Sequence, residues 1–124
     1  MSRALQTGAD ARALRDTKFP EIFKQKVDIT KVQLPVIKKW MADKITKLQG
    51  FDDDFLPIMI EEMLIEHRDI REIQTSIRDS LGPPTAAFCL ELWKLCLSAQ
   101  QDPNGVPKEL LEAKKLEVKQ QKVR

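Results

Sequence analysis

The chain has no tyrosine, four glycines, two cysteines and a single histidine in 124 residues. Each scarcity removes a class of function. Four scattered glycines leave no Gly-rich loop to cradle nucleotide phosphates. With His67 as the sole histidine, no second candidate base is at hand to activate a Ser or Cys nucleophile, so the chain reads as a non-enzyme. Cys89 and Cys96 stand seven residues apart. On one helix they share a face about two turns apart, too far for a mutual disulfide. Two buried free thiols are expected, as in a reducing compartment, cytosol or nucleus. The longest mostly apolar run, Phe55-Leu56-Pro57-Ile58-Met59-Ile60, falls far short of the roughly 20 residues that span a bilayer. No signal-peptide h-region is visible in the first twenty residues. No membrane association is expected.

The acids offer no metal site either, and no cofactor is implied. Asp52-Asp53-Asp54 lacks the alternating ligands and glycine of an EF-hand loop, and helix capping is its expected role. Glu62, Glu66 and His67 lack the Glu-x-x-His spacing of a carboxylate-bridged centre, because residue 64 is leucine.

What is present is segregated charge. Residues 1–31 carry seven bases and four acids; residues 32–107 carry eight bases and twelve acids; residues 108–124 carry six bases and three acids. A net charge of +2 thus conceals an acidic centre between two basic ends. Association with a polyanion depends on local basic density rather than on the total. Arg12, Arg15, Lys18, Lys24, Lys26 and Lys31 are the N-terminal candidates for phosphate contact. Lys38 and Lys39 extend that set onto the first helix. Lys108, Lys115, Lys119 and Lys122 fall within roughly 60° on one helical face and make a second candidate surface.

Periodicity predicts an all-α fold; no segment alternates with period two for long enough to make a strand. A first helix runs between Pro35 and Gly50 with Val36, Ile37, Trp40, Met41, Ile45 and Leu48 at helical spacing. A second starts at the aspartate triplet, with Pro57 in its first turn, and reaches about His67. A third, capped by Asp69, carries a narrow stripe of Ile70, Ile73, Ile77 and Leu81. The fourth, from about Ala86 to Gln100 with Thr85 as its expected cap, is apolar nearly all round, the mark of a bundle centre. Only Glu91, Lys94 and Ser98 form a polar strip on it. Pro107 opens a fifth segment anchored by Leu110, Leu111 and Leu116. Trp40 and Trp93 could stack on bases, but both lie on apolar stripes. Together with Ile37, Met41 and Phe88 they are expected to form core.

Several blocks resemble a PWI domain. They are Lys26-Val27-Asp28-Ile29-Thr30-Lys31-Val32, Val36-Ile37-Lys38-Lys39-Trp40-Met41 and Leu48-Gln49-Gly50-Phe51-Asp52-Asp53-Asp54. They continue with Glu91-Leu92-Trp93-Lys94-Leu95, Leu97-Ser98-Ala99-Gln100, Gly105-Val106-Pro107 and Leu110-Leu111. Their order and spacing hold over about 90 residues. The signature Pro-Trp-Ile reads Lys39-Trp40-Met41: methionine keeps an apolar side chain of similar volume, and lysine relieves a mid-helix constraint. The resemblance implies a small four-helix bundle that binds RNA and DNA, single- or double-stranded, with little sequence preference and with help from its basic flanks. It also implies a nuclear role in pre-mRNA splicing or 3′-end processing beside splicing factors.

The expected organisation is a flexible basic arm over 1–25, a PWI-like helical bundle over 26–112 and a basic helical tail over 113–124, acting as a monomer. The rival reading is a protein-interaction adaptor within a splicing complex. That rival predicts an exposed apolar patch on the folded surface.

Overall fold

The computed structural model describes residues 11, 12, 14, 15 and 17–112. Lys115, Lys119, Lys122 and the tail over 113–124 lie outside the described residues. The chain is all-α. Two single-turn 3-10 helices, Glu21–Lys24 and Ile29–Lys31, precede α1 (Leu34–Gln49), α2 (Phe55–Ile65), α3 (Ile70–Leu81) and α4 (Thr85–Gln101). Residues 108–112 are again helical.

Each boundary has a local cause. Near the start of α1, Pro35 sits in the first turn, where its missing N–H needs no partner. Gly50 ends that helix in the left-handed conformation, φ 82°. Of the three aspartates before α2, Asp53 does the capping: its Oδ1 accepts from the N–H groups of Phe55 (2.9 Å) and Leu56 (3.1 Å). The helix therefore begins after the triplet, not within it. At its far end His67 takes φ 61°. The N–H of His67 donates to the Leu64 carbonyl and that of Arg68 to the Met63 carbonyl, a Schellman closure with histidine where glycine is usual. Asp69 caps α3 as expected, accepting from the Arg71 N–H at 2.8 Å. Thr85 does not cap α4. It is already helical, and its hydroxyl donates back to the Gly82 carbonyl at 2.7 Å. With Pro83 and Pro84 leading in, the turn closes one residue earlier than a threonine cap would place it.

The core is one cluster around α4, whose Phe88, Cys89, Leu92, Trp93, Leu95, Cys96 and Ala99 are buried. α1 contributes Ile37, Met41 and Ile45, α2 Leu56, Ile60 and Leu64, and α3 Ile70, Ile73, Ile77 and Leu81. Trp40 is half-buried, and its indole stacks on the Phe88 ring at 5.4 Å between centroids. The polar strip of α4 is used: Glu91 pairs with Lys44 of α1 at 3.2 Å, and Ser98 Oγ accepts the Lys108 N–H at 3.0 Å. Burial without a partner pushes both thiols, Cys89 and Cys96, up to about 12, so they stay protonated.

The folded body starts earlier than residue 26. Phe23 is buried, and Phe19, Ile22 and Val27 pack against the cluster. Residues 19–25 of the expected arm are thus part of the bundle, held there by apolar contacts that outweigh the local charge. The backbone then runs along α4. The Trp93 indole N–H donates to the Gln25 carbonyl (3.0 Å), Gln100 Nε2 to the Lys26 carbonyl (3.2 Å), and the Asp28 N–H to Gln100 Oε1 (2.7 Å).

Near the other end of the bundle, the Gln33 N–H donates to the Gly105 carbonyl at 2.8 Å. Gly105 has φ 74°, and a Cβ there would lie 2.7 Å from the Lys31 carbonyl oxygen and 3.1 Å from the Gln33 nitrogen. Gly50 shares the positive φ but has open space around it. Gly50→Ala should therefore cost only the left-handed penalty, about 1 kcal/mol. Gly105→Ala adds a backbone collision and should cost at least twice that, about 2 kcal/mol or more; urea unfolding of the two variants measures the difference. A second expectation concerns acid. Asp69 lies below its ordinary value, chiefly because the Arg71 side chain hydrogen-bonds it, and Asp28 is lowered by its bonds from Thr30. Carboxyls depressed in the folded state contribute stability above their unfolded value of 3.8 and lose it as pH falls through the folded value. Thermal midpoints should fall on acidification below about pH 4, and less so for Asp69→Asn, which keeps a capping oxygen without the charge.

Candidate nucleic-acid interface

The pinned segment decides where the N-terminal bases go. Because Gln25 and Lys26 are tied to α4 by their carbonyls, the flanking side chains of Lys18, Lys24, Lys26 and Lys31 remain exposed along one ordered stretch. Arg12 and Arg15 precede it on an exposed helical stretch. Lys24 carries an ion pair with Glu21 at 3.2 Å. Both partners are largely in solvent, so the pair holds the lysine only weakly.

Lys24 and Lys26 form one wall of an open cleft of about 580 Å³. It is also lined by His67 and Arg68 from the α2–α3 connection, by Arg71 in the first turn of α3, by the acids Asp69 and Glu72, and by the apolar Phe23 and Trp93. Five basic or imidazole side chains thus converge on one depression. Besides Lys24, the two arginines are already engaged. Arg71 grips Asp69 through Nε (3.0 Å) and Nη2 (2.7 Å), which raises its own pKa further. Arg68, mostly buried, reaches Glu66 at 3.1 Å and Glu72 at 3.9 Å. The arginines are held by neighbouring acids, Lys24 by an exposed pair with Glu21, and Lys26 is exposed beside them.

Lys31 borders a second depression of about 650 Å³, between residues 30–33 and the turn over 100–105. The same turn leads directly to Lys108, which is exposed. The backbone contact between Gln33 and Gly105 therefore sets the N-terminal lysine row beside the start of the C-terminal basic segment. Lys38 stands apart. It pairs with Glu61 of α2 at 3.6 Å, so its charge is used between two helices. Its neighbour Lys39 is exposed. Trp93 is only 6% exposed, and Trp40 is half-buried with Phe88 stacked against one face.

His67, Arg68 and Arg71 are not among the candidate phosphate contacts that the sequence suggests. They lie in the acidic middle of the chain, next to Glu66, Asp69 and Glu72, where local charge counts cancel. Only the fold carries them to the cleft. A left-handed histidine leaves no trace in composition, since glycine is the residue that announces that backbone conformation. Among the described residues no group of acids, histidines or cysteines is arranged to hold a metal, and no helix is long and apolar enough to cross a membrane.

The family of PWI domains matches the chain over residues 35–104. That range runs from the start of α1 to the turn after α4. The chain is also 36% identical over 114 residues to serine/arginine repetitive matrix protein 1 of Gallus gallus. The similarity covers 90% of this chain and 13% of that relative. With the helical order, the half-buried tryptophan of α1 and this match over more than half its length, the chain belongs to the PWI domain family.

Proposed function

We propose that the protein is a non-enzymatic nucleic-acid-binding module of the nucleus, acting in pre-mRNA splicing and 3′-end processing. It binds RNA and DNA, single- or double-stranded, through phosphate contacts and without sequence preference. The observation that carries this reading is the exposed lysine row of residues 18–31, whose backbone at residues 25–28 is bonded to Trp93 and Gln100 of α4 and whose Lys24 and Lys26 line the cleft with His67, Arg68 and Arg71. Phosphate contacts fix position and affinity but carry no base information. Trp93 is buried and Trp40 already stacks on Phe88, so base stacking by tryptophan is not the source of affinity. Membership of the PWI family and similarity to a serine/arginine repetitive matrix protein support the assignment to RNA processing. The basic residues of the two ends, Arg12, Arg15, Lys18, Lys24, Lys26 and Lys31 with Lys108, Lys115, Lys119 and Lys122, supply the affinity, and the protein acts as a monomer. Lys39 adds a contact from α1, and Lys38, paired with Glu61, adds least.

A second reading, an adaptor that docks a splicing factor, is favoured by one observation: Phe51 and Phe55 are 58% and 70% exposed. Both activities fit one chain, since they use different surfaces.

Because Phe19 and Phe23 belong to the core, the test uses substitutions rather than truncation. If about five phosphates of a single strand are neutralised, log affinity should fall with log salt at a slope of about −3.5. Replacing Lys18, Lys24, Lys26 and Lys31 together by glutamine should make that slope shallower by about 2 to 3. Lys38→Gln should leave it almost unchanged. Fluorescence anisotropy on an unstructured oligonucleotide over a salt series reads both values; a slope unaffected by the fourfold change would refute the assignment.

A further inference from the structure

Helix α2 is apolar on every side and yet lies at the surface. Its sequence, FLPIMIEEMLI, contains only two charged residues, Glu61 and Glu62. Leu56, Pro57, Ile60 and Leu64 form the buried side. At 100° per residue, Phe55, Ile58, Glu62 and Ile65 fall within roughly 80° of one another on the other side. Phe55 is 70% exposed, Ile58 42% and Ile65 51%. In the end of α1 and the loop leading to this helix, Leu48 and Phe51 are exposed as well, 37% and 58%. A helix without a polar face is ordinarily enclosed on all sides. The exposed parts of the two phenyl rings alone amount to roughly 250 Å² of apolar surface, at about 200 Å² per ring. With three aliphatic side chains added, the area reaches the range that marks an interaction site.

The charge around the stripe identifies what fits it. Residues 51–66 carry six acids, Asp52, Asp53, Asp54, Glu61, Glu62 and Glu66, and not one base. Asp53 is spent on capping, Glu61 on Lys38 and Glu66 on Arg68. Asp52, Asp54 and Glu62 remain exposed along the stripe. Such a rim repels a nucleic acid, an anionic lipid surface and a second copy of itself. It attracts a cationic partner. A stripe three turns long, with Phe55, Ile58 and Ile65 as its apolar members and Glu62 among them, matches the anchor pattern of an amphipathic helix that carries a basic residue beside its apolar face. Arginine or lysine at the edges of such a helix reaches the carboxylates and lies over the phenyl rings.

We propose that the outer face of α2, with Phe51 and Phe55 at one end and Ile65 at the other, docks a basic amphipathic helix of a partner protein. The proposal supplies the adaptor reading with its surface and does not depend on nucleic-acid binding, which uses the opposite sign of charge.

The test titrates the full chain with a synthetic peptide of about 15 residues, leucine on one helical face and lysine or arginine on the others. A scrambled peptide of equal composition, without an apolar face, is the control. Calorimetry should show saturable binding in the micromolar range, and amide shifts in NMR spectra should concentrate in residues 51–66. Phe55→Ser with Ile65→Ser should weaken binding by about tenfold or more, with thermal midpoint and oligonucleotide affinity unchanged. Asp52→Asn with Asp54→Asn should weaken it by a few-fold and reduce its salt dependence. This second variant leaves the apolar stripe intact and guards against any loss of folding in the first. The proposal is overturned by equal binding of the scrambled peptide, by no saturation up to about 1 mM, or by competition between oligonucleotide and peptide for this face. A dimer of the free chain that Phe55→Ser dissolves would overturn it too, making a second copy the occupant.

Discussion

A buried indole N–H needs an acceptor, because leaving it unpaired in the core costs on the order of 1–3 kcal/mol. In this chain Trp93 finds one in the carbonyl of Gln25, 68 residues earlier in sequence. That bond, seconded by the two bonds of Gln100, lays residues 25–28 along the central helix. The position of the lysines on either side follows. Together with buried Phe23 that bond fixes this segment, and Lys24 and Lys26 line a cleft that α2 and α3 complete. The burial of one aromatic side chain and the display of a row of cations are the same structural fact.

The two surfaces of the molecule differ in how they are made. The basic one is assembled from pieces distant in sequence, and much of its charge is already compensated: Arg71 by Asp69, Arg68 by Glu66 and Glu72. The apolar one is a single helix face bordered by the residues of one continuous acidic stretch. Separate signs on separate surfaces keep the two from competing for one ligand. A polyanion drawn to the lysine row has no reason to settle on α2, and a cationic helix has none to enter the cleft.

Much of the architecture was legible in the sequence because it rests on short-range chemistry. Gly50, Asp69 and the apolar period of α1 act within a few residues of where they are read, and α4 announced its central place by having almost no polar side. Other features depended on partners far along the chain. Thr85 looked like a cap because threonine often is one, but the two preceding prolines shift the first turn. Residues 19–25 read as an arm by charge, yet Phe23 is core. The outer stripe of α2 was hidden because an apolar residue in sequence does not reveal whether its surface is covered. His67 was hidden for the opposite reason, since a backbone conformation is not written in side-chain pattern.

The Gln33–Gly105 hydrogen bond closes a ring of seventy-odd residues, bringing the entrance and exit of the bundle together at one corner. Lys31 and Lys108 accordingly flank a common doorway instead of marking opposite poles. On the proposed reading, two basic segments placed this close act on one ligand as tethered neighbours, at an effective concentration in the millimolar range for a short connection. Their closeness depends on a glycine that carries no charge of its own, because no larger residue lets the two strands of backbone approach so closely.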